Sequence, residues 1–252
     1  MIQQTNDKFL IHVYGDSLSL PRNSIGVPFY LIYPELIRNK CEELMPEKRI
    51  YLFNMSRGSA TIESVYTKLK RGTFFFSCNS DILIIQVGIC DCAPRPIPLW
   101  LRNIIGKLPS KIREVIVKKI HNNRAAIQGA GIKWQMVVPA SFTLHYNKVV
   151  TEALKEFDRI YVINIAPTNS AGELQSPGLS SQIDTYNKLM KGVVESVNND
   201  KICFVDVNKE IKARQEGLGE YIYSDGHHLT LKAHQLYAQM INTDLERKYR
   251  SA

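Results

Sequence analysis

Residues 13–20 read V-Y-G-D-S-L-S-L, and the break inside this stretch decides how the chain is organised. Before it, Phe9, Leu10, Ile11, His12, Val13 and Tyr14 form a short apolar run, which Gly15, Asp16 and Ser17 end abruptly. A serine at the carboxyl end of a first strand stands where open parallel sheets bind their ligands. What repeats downstream gives the fold class. Runs at 50–54, 81–87, 159–165 and 202–207 are rich in Val, Ile, Phe or Tyr and bounded by polar or turn residues, as buried strands are. Helical patterns at 59–70, 110–128, 143–157, 180–198 and 230–248 alternate with them. In 180–198, Ile183, Tyr186, Asn187, Met190, Val193, Val194 and Val197 keep close to a spacing of three and four, the mark of one buried stripe. Strand then helix, repeated, predicts an α/β fold: a three-layer α/β/α sandwich around a five-stranded parallel sheet. No repeat or linker divides the 252 residues. The reading is a single domain over 1–252, with a helical insertion at about 93–142 that opens on Pro94, Pro96 and Pro98 beside the site.

Composition narrows the class. With 44% hydrophobic and 22% charged residues, the chain is long enough to bury one substantial core. The apolar run at 9–14 is too short for a signal-peptide core or a membrane span, so the expectation is a cytoplasmic protein without a transmembrane segment. Cys41, Cys78, Cys90, Cys92 and Cys203 are odd in number and form no C-x-x-C pair, which points to reduced thiols rather than a disulfide framework or zinc site. The net charge of +8 is spread along the chain, with one local bias. Arg102, Lys107, Lys111, Arg113, Lys118, Lys119 and Arg124 face the single acid Glu114, either as a solvated helix face or as a surface for an anionic ligand such as an acidic glycan or a phospholipid headgroup. No aromatic interleaving or module signature accompanies it, so no nucleic-acid partner is expected. Nothing in the sequence sets an oligomeric state.

A serine hydroxyl becomes a nucleophile when a neighbouring base takes its proton and a carboxylate holds that base in the right tautomer. D-G-H-H at 225–228 supplies both, with Asp225 and His228 in one short loop ahead of the last helix and His227 as a rival base. The chain carries no G-x-S-x-G elbow, P-loop, dinucleotide fingerprint or H-E-x-x-H, so neither a metal nor an organic cofactor is expected.

Taken together, these blocks resemble the SGNH hydrolases, the GDSL lipases and esterases. Gly15, Asp16, Ser17 and Leu18 match that family's first block, and Asp225 with His228 match its last. N-M-S-R-G at 54–58 fits the second, with Gly58 as a backbone donor to the oxyanion. The resemblance covers essentially the whole chain and implies a flavodoxin-like sheet, Ser17 as nucleophile, His228 as base, Asp225 as orienting acid, and the N–H groups of Ser17 and Gly58 in the oxyanion hole. The third block departs from the pattern. Where the family has Gly-x-Asn-Asp, this chain has Gly88, Ile89, Cys90 and Asp91, and a thiol is a much weaker donor than an amide. Cys90 is thus either a poor third oxyanion donor or a small buried hydrophobe. Arg95, amid the prolines after this block, is expected at the pocket mouth, facing a substrate carboxylate or phosphate. The function implied is an acyl-ester hydrolase. Because 93–142 is more basic than apolar, the expected substrate is a small acyl group such as acetyl on a polar or carbohydrate-like carrier, a small molecule or a glycan. The alternatives are an O-acyltransferase that passes the acyl group to a sugar through the same serine, and a binding protein that has lost catalysis at Cys90.

Overall fold

A computed structural model describes residues 7–72, 80–131 and 134–249; Cys78 lies outside them. The elements follow in the order β1 (Lys8–Gly15), α1 (Tyr33–Leu44), β2 (Arg49–Asn54), α2 (Ile62–Gly72), β3 (Ser80–Gln86), α3 (Ile89–Cys92), α4 (Leu99–Gly106), α5 (Ser110–Asn122) and α6 (Arg124–Gly129). The second half holds α7 (Pro139–Glu156), β4 (Phe157–Ile163), α8 (Ser170–Gln175), α9 (Leu179–Val197), β5 (Ile202–Val205), α10 (Val207–Ala213) and α11 (Leu231–Tyr249).

All five expected strands form, and they pair in parallel in the order β2-β1-β3-β4-β5. Their continuous apolar runs exist because both faces of the sheet are covered: Ile11, Val13, Ile82, Leu83, Ile84, Ile85, Ile160 and Val162 are fully buried. On the helical layers, α1 packs on α11, α2 on α7, and α7 on α9. The α9 stripe is buried at Ile183, Tyr186, Asn187, Met190 and Val193. Asn187 satisfies its amide there by accepting from the Ile165 N–H and donating to the Ile165 carbonyl, both at 2.8 Å.

Some boundaries differ from the sequence reading. The pattern at 110–128 is two helices: the chain breaks at Asn123, and the Arg124 guanidinium donates to the Pro94 carbonyl (3.1 Å) and to Ser176 Oγ (2.7 Å). The pattern at 143–157 starts earlier, with Pro139 in its first turn, and gives up Phe157 to β4. Helix α1 is additional, a 12-residue crossover between β1 and β2. The 93–142 segment also shows more apolar surface than its composition promised, with Leu99, Trp100, Ile104, Val115 and Val117 exposed on α4 and α5. Among the described residues, no helix is long and apolar enough to cross a membrane.

The order reverses at the centre of the sheet. From β1 the chain crosses outward to β2, then returns past β1 to β3 and continues the other way. The loops leaving β1 and β3 therefore diverge and open a crevice at their carboxyl ends.

Candidate active site

Ser17 stands at that crevice because of how β1 ends. Asp16 Oδ1 accepts the Leu18 N–H at 2.9 Å and caps a single 3-10 turn over Ser17–Ser19. A side chain at Gly15 would place its Cβ 2.1 Å from Ser19 Oγ, so glycine is what lets the turn close on the strand. Burial pushes the Asp16 carboxyl up to about 7, against hydrogen bonds from Leu18 and Gln86 that favour its charge.

The partner loop comes from 211 residues further along the chain. A bridge between Ile222 and Leu229 closes it. Thr168 Oγ1 donates to the Gly226 carbonyl (2.7 Å) and Asn169 Nδ2 to the Tyr223 carbonyl (2.9 Å), which staple the loop to the start of α8. Gly226 has φ +87°, and a Cβ there would lie 2.2 Å from the Gly172 Cα, so glycine is required both for its backbone conformation and for the close approach. Within the loop, Asp225 Oδ1 accepts the His228 N–H (3.0 Å) and the His227 N–H (3.2 Å). Asp225 Oδ2 lies 2.6 Å from His228 Nδ1, and Ser17 Oγ lies 3.2 Å from His228 Nε2. With its proton on Nδ1, His228 donates to Asp225 and accepts from the serine. His227 does not contact the serine: its ring lies tilted against that of His228 with centroids 4.0 Å apart, and its Nδ1 sits 3.2 Å from the Asp225 carbonyl and 3.6 Å from Asp225 Oδ1.

The electrostatics suit a neutral base. Burial, with His227 assisting, pushes the His228 imidazole down to about 4, while Asp225 works against them. Burial would raise the Asp225 carboxyl, but hydrogen bonds from His228 and His227 outweigh it and hold Asp225 at about 2.

Gly58 is brought beside Ser17 by an extension of the β1–β2 ladder: the Met55 N–H donates to the Val13 carbonyl (2.8 Å) and the Arg57 N–H to the Gly15 carbonyl (3.1 Å). Asn54 Nδ2 ties the same loop to the Ser19 carbonyl at 2.9 Å. Among the described residues, no acceptor is hydrogen-bonded to the N–H of Ser17 or of Gly58. Cys90 lines the same cleft, and burial pushes its thiol up to about 12, so at neutral pH it is a weak S–H donor and not a thiolate. Its neighbour Asp91 turns away and accepts the Ile62 N–H at the start of α2 (2.9 Å).

The cleft encloses about 320 Å³ and is lined by Ser17, Gly58, Cys90, Arg95, Asp225 and His228, so every residue singled out in the sequence meets there. Arg22 and Ser176 share the wall and were not anticipated, and Arg124, expected only as one member of the basic run at 102–124, lies on it too. Their positions come from tertiary packing, and no local motif marks them. Asp225, His227 and His228 have ligand atoms within 4.8 Å of one another. The hydrogen bonds already described occupy His228 Nδ1 and Asp225 Oδ2 with each other and His228 Nε2 with Ser17, so a metal here would compete with the aspartate–histidine or the serine–histidine contact.

This sheet order, with a serine after β1 and an Asp-x-x-His loop ahead of the last helix, is the fold of the SGNH hydrolases. Similar solved structures include a lipase/acylhydrolase from Enterococcus faecalis, with a TM-score of 0.64 and 14% identity over 95% of this chain and 96% of that one. Axe2, an acetylxylan esterase from Geobacillus stearothermophilus, superposes with a TM-score of 0.59 at 14% identity, over 95% and 96% of the two chains. TesA does so with a TM-score of 0.58 at 14% identity, over 94% and 98%. No family model and no curated protein matches the sequence.

Proposed function

We propose that the protein is a serine-dependent acyl-ester hydrolase. The observation that carries this reading is the continuous chain from Ser17 Oγ through His228 Nε2 (3.2 Å) and Nδ1 to Asp225 Oδ2 (2.6 Å). In the proposed reaction, Ser17 attacks the ester carbonyl as His228 takes its proton, and Asp225 stabilises the imidazolium. The uncommitted N–H groups of Ser17 and Gly58 receive the oxyanion, with the Cys90 thiol as a weak third donor. His228 then protonates the departing alcohol, and water, deprotonated by the same imidazole, releases the acyl group. No step calls for a metal or organic cofactor.

The small cleft, whose mixed lining includes Arg22, Ser59, Gln175 and Ser176 beside the serine, supports a short acyl group, such as acetyl, on a polar or carbohydrate-like carrier. The similarity to an acetylxylan esterase, in which a serine and an aspartate variant are described as catalytic mutants, points the same way. Cys90 favours a second reading, a binding protein whose oxyanion hole has decayed, and transfer of the acyl group to a sugar remains the alternative fate of the acyl enzyme. Hydrolysis of 4-nitrophenyl acetate, butyrate and octanoate alongside Ser17→Ala tests the set. The expected result is turnover that falls with acyl length and vanishes in the variant. A fluorophosphonate that labels Ser17 without any ester turnover would favour the transferase, and no labelling would leave the binding protein.

A further inference from the structure

Around the serine, the cleft is ringed by arginines that no carboxylate answers. Arg22, Arg95 and Arg124 line it. Arg95 and Arg124 recur on the wall of an adjoining pocket of about 380 Å³, joined there by Arg102 and Arg113. Among the described residues, none of these arginines makes an ion pair. The side-chain contacts of the four in the adjoining pocket are with neutral groups. The Arg95 and Arg102 guanidinium groups approach Met136 Sδ at 3.7 and 3.9 Å, Arg113 reaches the Gly106 carbonyl, and Arg124 donates to Pro94 and Ser176. The Nε–H groups of Arg95 and Arg124 are both buried without a partner.

This arrangement is costly in the absence of a ligand. Burial pushes both guanidinium groups below their ordinary value, and each also feels a like charge, Arg102 beside Arg95 and Arg95 beside Arg124. A structural role explains only part of it: Arg124 holds the 94–95 turn through its terminal nitrogen, which leaves its Nε uncommitted, and the Arg95 fork has only a weak contact from one terminal nitrogen to the Met136 thioether, its Nε being without a partner. Planar guanidinium forks without a counter-charge match carboxylate and phosphate oxygens. Beyond them, Ile97, Leu99, Ile105, Val117, Ile120 and Met136 wall the second pocket with apolar surface.

We infer that Arg95 and Arg124, where the two pockets meet, form a subsite for an anionic group, a carboxylate or phosphate, carried by the ester that Ser17 attacks. Arg102 strengthens the field from the second pocket and Arg22 from beside His227 and His228, and the apolar wall takes a hydrocarbon part of the same molecule. This inference rests on the esterase reading and narrows its substrate class to anionic esters.

The test compares kcat/KM for matched esters. 4-Nitrophenyl hydrogen glutarate against 4-nitrophenyl valerate places the anion on the acyl side; 4-acetoxybenzoate and 4-acetoxyphenyl phosphate, each against 4-acetoxybenzamide, place a carboxylate or a phosphate on the alcohol side. The expected result is a preference of about tenfold or more for at least one anionic ester, expressed mainly in KM. Arg95→Gln and Arg124→Gln should bring that ratio towards one, and Arg95→Lys, which keeps the charge but not the fork, should keep part of it. Lys191→Gln removes the same charge from α9 about 18 Å beyond Leu179 of the cleft and should keep the full ratio, which separates a local subsite from the overall field. Ser17-dependent hydrolysis with equal kcat/KM in every pair would overturn the subsite and leave the esterase standing. If no ester is hydrolysed, the esterase reading fails, and calorimetry of phenylphosphonate with the Ser17→Ala protein decides the subsite. Binding that Arg95→Gln weakens about tenfold or more supports it, and no binding overturns it.

Discussion

His228 is the residue whose environment sets when the reaction can run. An exposed histidine titrates near 6.5 and would lose its base function through mildly acidic pH. Here burial and His227 hold the imidazole at about 4, so it stays neutral, and able to accept the serine proton, at every pH above that value. The acid limb of kcat/KM for 4-nitrophenyl acetate is therefore expected near pH 4, and a limb near pH 6.5 would show that Asp225 fully offsets burial and His227. Cys90 makes a second prediction at the same scale. As a protonated thiol it contributes little to an oxyanion, and the loss of one good donor typically costs on the order of 100- to 1000-fold in rate. Cys90→Asn offers an amide from the same position, and kcat for short esters is expected to rise about tenfold or more. An unchanged or lower kcat would mean that Ser17 and Gly58 already suffice or that the amide does not reach the oxyanion.

At the level of elements, the site depends on two loops from opposite ends of the chain being held in register, and Gly226 is where the second is pinned. Gly226→Ala would drive a methyl group into the Gly172 backbone and force an L-residue to φ +87°. The expected outcome is a loss of about 2 kcal/mol or more in stability together with a large fall in kcat, because the loop moves His228 off Ser17 as it relieves the clash. A fully active variant of normal stability in denaturant unfolding would show that the loop shifts without disturbing the histidine. The central strands β1, β3 and β4 were legible in the sequence because they are buried on both faces and so read as apolar runs, and the half-buried edge strands β2 and β5 because short Ile-, Leu-, Phe- or Val-rich runs there are bounded by polar residues. Ser17, Asp225 and His228 were legible because local turn chemistry presents each of them. Helix α1 was not, since Pro34 and a run of charged residues hide a stripe whose buried members, Tyr33, Ile37 and Cys41, are spaced by four. The break at Asn123 was equally hidden, because Arg124 answers to Pro94 and Ser176, which only the fold brings near. Of the arginines on the cleft wall, Arg95 was expected at the pocket mouth and Arg124 within a basic run, whereas Arg22 was hidden because only the fold brings it near.

Across the whole molecule, the groups that folding buries set stability against pH in two opposing directions. Burial holds His12, His228 and His234 at about 4. As pH falls from about 6.5 to 4 the unfolded chain takes up protons that the folded one refuses, so the stability contributed by these neutral rings, complete above about 6.5, is lost on acidification. Asp16 and Asp91 act the other way. Burial holds both at about 7, so as pH rises from about 4 the unfolded chain releases protons that the folded one keeps, and stability falls towards neutrality. Each group changes stability by at most about 1.4 kcal/mol per pH unit, and between pH 4 and 6.5 the two sets largely cancel. Asp91→Asn should unmask the histidines. The amide keeps an oxygen to accept the Ile62 N–H at the 2.9 Å position and has the shape of the protonated carboxyl, while Oδ2, which has no partner, is replaced by an uncharged group. Denaturant unfolding at pH 4.5, 5.5 and 6.5 is expected to show stability climbing with pH in the variant more steeply than in the wild type, by up to about 1.4 kcal/mol per unit. The slope is the readout, because the amide's own fit shifts all three points together. Identical slopes would mean that Asp91 is ionised in the folded protein and that water or a cation compensates its buried charge.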